Sequence, residues 1–220
     1  MAPKFRRTSL LDRSAGVKRD ARLVVIATED SLGGGASYFR ILQDNGLIDR
    51  TRVRLVVCPS ADGRSAPADL IASLDAHRKD IDTALDTDEY WVVFDVDHHR
   101  DAELASACSL AKGKGYSLAS SNPCFELWLL FHETEDVSQV VTQRERPSAS
   151  QECTKLLRDV LGQYSKSGLP PERYTLESVR AASERARRND SGPDQPWPQV
   201  VGTHVYRVVE AVLPPATMTK

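Results

Sequence analysis

The chain has 220 residues, 40% of them hydrophobic and 27% charged, with a net charge of −2. That is ordinary globular composition, enough for one domain with an appended lobe, and it excludes a uniformly basic nucleic-acid coat. No apolar run reaches the roughly 18 residues of a membrane span, and the basic N-terminus lacks the apolar stretch of a signal peptide, so a soluble, cytoplasmic protein is expected.

Charge is unevenly placed along the chain. Residues 1–22 carry seven basic against two acidic side chains, and residues 80–103 carry nine acidic against one basic. The pattern suits an acidic site served by basic arms that meet phosphate, with Arg6, Arg7, Lys18 and Arg19 in the first arm. Residues 1–20 show no sustained apolar period and are expected to form a flexible arm. Cys58, Cys108, Cys124 and Cys153 show no CxxC spacing, which predicts reduced, mostly buried thiols.

A buried strand is expected over 22–28, ending at Glu29-Asp30. Gly33-Gly34-Gly35 then turns into a helix with Tyr38, Phe39, Ile41 and Leu42 on one side, stopped by Asn45-Gly46. A glycine turn opening a helix attracts anions, but neither GxGxxG nor GxxxxGK[ST] is present, so a nucleotide P-loop is disfavoured. A second strand follows at 52–58 and a helix at 66–85.

The third strand is the sharpest signal. Tyr90-Trp91-Val92-Val93-Phe94 is apolar on both faces and breaks into Asp95-Val96-Asp97. If extended geometry persists to Asp97, the two carboxylates share one crevice and suit a hard dication. The alternative is two acids opening a solvated loop. A helix at 102–113 and a short strand at 116–120 complete an alternating pattern, which predicts a mostly parallel four-stranded sheet flanked by helices. In such sheets ligands gather at the carboxyl ends of the strands, where Glu29, Asp95 and Asp97 lie.

Asn122 and Pro123 suit the start of a helix over 124–132 that is apolar all round except for Glu126. A buried carboxylate there must be paired, protonated or metal-bound. Residues 136–220 read as a helical lobe packed on the sheet, with helices at 137–141, 152–163, 176–188 and 200–213. Arg180, Arg185, Arg187 and Arg188 on the third of these form a second candidate nucleic-acid surface, against the bland reading of a solvated face. His98, His99 and His132 are candidates for proton transfer. No HExxH supports zinc catalysis, and Ser120-Ser121 has no base that would support a hydrolase triad.

The order of motifs resembles the RloB family, also represented by the second component of the AbiL abortive-infection system. The resemblance rests on Thr28-Glu29, Tyr38-Phe39, the strand ending Phe94-Asp95-Val96-Asp97, the string Ser121-Asn122-Pro123-Cys124-Phe125-Glu126-Leu127-Trp128, and His132. Thr203 and Tyr206 match more loosely. It implies a Toprim-like fold in which Glu29, Asp95 and Asp97 surround Mg²⁺ or Mn²⁺; Glu126, whose helix starts at the same carboxyl edge, is a further candidate from its own position. It further implies a nuclease acting on DNA or tRNA as the effector of an anti-phage system with an AAA-type ATPase. The chain departs from the family pattern in having Asp30 where glycine is usual. A non-catalytic scaffold subunit of the ATPase is the second reading, and a homo-oligomer is compatible with either. A primase-type nucleotidyl transferase is disfavoured, because no triphosphate-binding basic group accompanies the acids.

Overall fold

The computed structural model describes residues 21–30, 33–58, 66–81, 85–97 and 99–215. Strands β1 (Arg22–Thr28), β2 (Val53–Cys58), β3 (Glu89–Asp95), β4 (Ser117–Asn122) and β5 (Gly202–Thr203) form one sheet in the order β2-β1-β3-β4-β5. The first four are parallel, and β5 pairs antiparallel with the end of β4 through Ser121↔Thr203 and Asn122↔Gly202. The four-stranded expectation therefore holds for the parallel part and is corrected to five strands. Residues 202–203 were expected inside a helix. Two residues, one of them glycine, carry no alternation that could mark a strand.

Helices α1 (Gly34–Asp44), α2 (Pro67–Lys79) and α3 (Asp101–Lys114) fill the connections between strands. The C-terminal part adds α4 (Glu126–Glu133), α5 (Ala149–Leu161), a 3-10 turn at Pro171–Arg173, α6 (Leu176–Asn189) and α7 (Val205–Val212). Helix α2 stops at Lys79, six residues short of expectation, with Asp80 donating its N–H to the His77 carbonyl. The helix expected over 137–141 is a single turn, in which the Val140 N–H donates to the Val137 carbonyl at 2.9 Å. Gly115, in the left-handed region at φ 72°, ends α3.

Strand period divides the core into two. Val24 and Ile26 of β1, Trp91 and Val93 of β3 and Ala119 of β4 face α1 and helices α4 to α7. Leu23, Val25 and Ala27 with Tyr90, Val92 and Phe94 face α2 and α3. On the first face, α4 is enclosed between β4 and helices α5 and α6, which is why it is apolar all round. Leu127, Trp128, Leu130 and Phe131 are completely buried, each contributing about 1.5–3 kcal/mol from burial.

The start of α4 differs from expectation in a way that matters for the site. Asn122 is the last residue of β4 rather than a helix cap, and its amide donates to the Pro198 carbonyl at 3.0 Å. The Asn122-Pro123 peptide is cis. Helix α4 begins at Glu126, two residues later than the expected 124, so the carboxylate stands in its first position.

Candidate functional site

By strand period, Thr28 at the end of β1 and Asp95 at the end of β3 belong to the face that α4 covers, since Ile26 and Val93 already face that way. That placement brings Asp95 toward the N-terminus of α4. Its backbone N–H donates to Glu29 Oε1 at 2.9 Å, tying the exit of β1 to the exit of β3. Burial first, then the charges of Glu29, Glu126 and Asp97, push the Asp95 carboxyl well above the usual carboxylate range, with Lys166 opposing. Acids from three separated segments thus act on one carboxyl group.

Asp97 does not share the crevice of Asp95. The ladder ends one residue past Asp95, where the Val96 N–H donates to the Ser121 carbonyl at 2.9 Å, and the chain then bends so that the His99 N–H meets the Val96 carbonyl at 3.2 Å. The two-residue period is lost at that bend. Asp95 lines a crevice with Thr28, Glu29, Asp30 and Phe125, whereas Asp97 lines the neighbouring cleft with His99, Asn122 and Trp197. His99 joins the two, its Nε2 lying 3.5 Å from Glu29 Oε1. Asp97 is 8% exposed, and its Oδ2 accepts a hydrogen bond from the Ser150 hydroxyl at the start of α5.

Glu126 is 2% exposed. It is paired, as a carboxylate in an apolar helix has to be: Oε1 accepts the Tyr164 hydroxyl at 3.0 Å and lies 3.9 Å from Lys166 Nζ. Lys166 also lies 3.7 Å from Asp30 Oδ2. Partial burial lowers the lysine's pKa, but Glu126, Asp30 and Asp95 outweigh it and raise the group overall. Tyr164, Lys166 and Ser150 were missed by sequence reasoning. They sit in loops or at a helix start with no motif, and only the fold brings them to the acids.

The remaining candidates are placed elsewhere. His132 is enclosed by the rings of Tyr38, Trp128 and Tyr174, with centroids 5.0–5.5 Å away, and burial followed by the Arg185 charge lowers its pKa to about 3. It is a neutral core residue rather than a proton carrier. The arginines of α6 are engaged within the chain. Arg185 donates to the Phe131 and His132 carbonyls, Arg180 to those of Pro214 and Pro215, Arg187 pairs with Glu210, and Arg188 lies 3.7 Å from Glu135. The expected second basic surface is therefore a mixed-charge one. Arg6, Arg7, Lys18, Arg19 and His98 lie outside the described residues. The four cysteines are free, and burial pushes the Cys58 and Cys108 thiols up to about 11.

The donor chemistry fits a hard cation, since oxygen ligands of concentrated negative charge converge on Asp95. Preformed coordination does not, because among the described residues no group of three or more histidines, cysteines or acids is arranged to hold a metal ion. Glu29, Asp97 and Glu126 each have one oxygen that accepts from a protein donor, and a carboxylate offers a second oxygen to any cation.

A family model described as RloB-like protein matches residues 24–212. The match takes in the sheet and the helical lobe together, and the chain belongs to the RloB-like family. The open, mostly parallel sheet is compatible with a Toprim-like fold. No curated protein and no solved structure matches. Among the described residues no helix is long and apolar enough to cross a membrane.

Proposed function

We propose that this protein is a divalent-metal-dependent nuclease that hydrolyses phosphodiester bonds in DNA or RNA. The observation that carries the reading is the gathering of Glu29 and Glu126 about Asp95, with Asp97 in the adjoining cleft, at the carboxyl edge of the central strands. Such repulsion is relieved by a cation, and Asp95, Glu29, Asp97 and Glu126 are the residues that would hold it. Mg²⁺ or Mn²⁺ bound there would supply Lewis acidity and a water of lowered pKa. His99, 3.5 Å from Glu29 and lining the cleft of Asp97, would move the proton. The net-basic segment ahead of β1, with Arg6, Arg7, Lys18 and Arg19, would hold the nucleic-acid backbone with little sequence preference.

The resemblance to abortive-infection proteins extends the proposal to an anti-phage effector acting with an AAA-type ATPase. A second reading, a non-catalytic scaffold for such an ATPase, is favoured by the absence of a ready-made cage among the described carboxylates. The test is incubation of the purified protein with plasmid DNA and tRNA in Mg²⁺, Mn²⁺ or EDTA. Metal-dependent cleavage lost in Asp95→Asn and Asp97→Ala supports the nuclease. Inertness of the wild-type protein, alone and with the ATPase, supports the scaffold.

A further inference from the structure

We propose that Lys166 is the internal counter-cation of the acid cluster, holding the carboxylates in the metal-free protein and competing with a divalent ion for them. The inference rests on the reading of the cluster as a metal site and assigns a role to a residue that reading does not use.

Three observations carry it. Among the described residues no other lysine or arginine pairs with Glu29, Asp30, Asp95 or Glu126, and Lys166 reaches two of them, at 3.7 Å and 3.9 Å. Those distances neutralise charge without the hold of a direct hydrogen bond, so the ammonium can be displaced. Its side chain is 55% exposed, which leaves it space to move away.

The third observation concerns the glycine run. The Gly34 N–H at the start of α1 donates to the Lys166 carbonyl at 2.9 Å. A Cβ on Gly33 would stand 3.1 Å from Lys166 Cβ and 3.3 Å from its carbonyl oxygen, tighter than neighbouring atoms ordinarily come. Gly34 itself has φ +44°, and a Cβ there would meet Asp30 Oδ2 at 2.7 Å. The glycines that resembled an anion-binding turn instead let the loop carrying Lys166 lie against α1, beside the exit of β1. The backbone is fastened while the ammonium stays loose, an arrangement suited to an exchangeable occupant rather than a fixed strut.

The test is Mn²⁺ binding to the full chain, measured by calorimetry and by the paramagnetic resonance of free Mn²⁺, with no substrate present. Lys166→Met is expected to bind Mn²⁺ about five- to tenfold more tightly than wild type, and Lys166→Arg to stay close to wild type. Gly33→Val, which pushes the loop away with the lysine retained, is expected to tighten binding in the same direction. It supplies the answer if Lys166→Met does not fold. Unchanged or weaker binding in the folded variants would overturn the proposal and make Lys166 a structural clamp. Failure of wild type, Lys166→Met and Gly33→Val alike to bind Mn²⁺ would overturn the metal-site reading itself, a different result.

Discussion

The two faces of the sheet are covered in different ways. Helices α2 and α3 bury Leu70, Ile71, Leu74, Leu104 and Ala107 against one face in an apolar cluster, with His99 and Asp97 only at its edge, beside Phe94 and Trp197. The opposite face carries α4 beneath α5 and α6, and the elements there hold buried Glu126, His132 and His204. Thin cover suffices over that apolar cluster. Ionisable groups are kept where a second layer excludes water and supplies partners, at the cost of making that side sensitive to pH and to loss of a single partner.

The largest test of this contrast is packing. Trp128→Ala on α4 is expected to cost about 3–5 kcal/mol and Leu74→Ala on α2 about 2–5 kcal/mol, read from urea unfolding. Leu110→Ala on the 44% exposed position of α3 is expected to stay within about 0.5 kcal/mol. A wild-type-like Trp128→Ala would break the claim that α4 is the inner layer.

Acid sensitivity comes next. His132 and His204 are lowered to about 3 and about 4, in each case first by burial. The unfolded chain binds these protons and the folded chain does not, so their contribution is complete above about pH 6.5 and is lost as pH falls toward the folded values. Each group is expected to remove about 1.4 kcal/mol per pH unit inside that window. The slope of stability against pH between 6 and 4 should shrink in His132→Phe, measured by thermal unfolding, and an unaltered slope would place the sensitivity elsewhere.

A smaller effect sharpens the site. Asp95→Asn removes the repelled charge and is expected to stabilise the metal-free protein by roughly 0.5–2 kcal/mol at pH 8, less at pH 5, while abolishing cleavage. Destabilisation by the same substitution would mean that the acids are held together by something other than mutual tolerance of Lys166. The least effect belongs to Arg188→Ala, which breaks a solvent-exposed pair with Glu135 and is expected to change stability by less than about 0.5 kcal/mol.

What could be read from the sequence follows from how locally each feature is encoded. Strands β1, β2 and β3 announce themselves through apolar runs, and Glu126 through being the one charge between Cys124 and Phe131. The bend after Asp95 does not announce itself, because Val96 is as compatible with a strand as with a turn. Nor does the commitment of Asn122 to β4, since Asn-Pro before an apolar run reads equally well as a helix start. Ser150, Tyr164 and Lys166 owe their roles to α5 and its following loop folding back over α4, and no short-range pattern records such a return. The α6 arginines show the converse: a strong local pattern of positive charge is consumed by Glu210, Glu135 and backbone carbonyls brought in from other elements.

The pairing of Glu126 with Tyr164 has a consequence for the order in which the protein is made. A ribosome releases β1 through α4, with Glu29, Asp95, Asp97 and Glu126, roughly 30 residues before the hydroxyl and ammonium that answer Glu126, a delay of about 1.5–6 s at ordinary elongation rates. Until then the nascent chain carries an apolar helix with an unanswered carboxylate and no outer layer. A fragment cut at residue 135 is frozen at that stage, and aggregation rather than an independent catalytic domain is its expected fate.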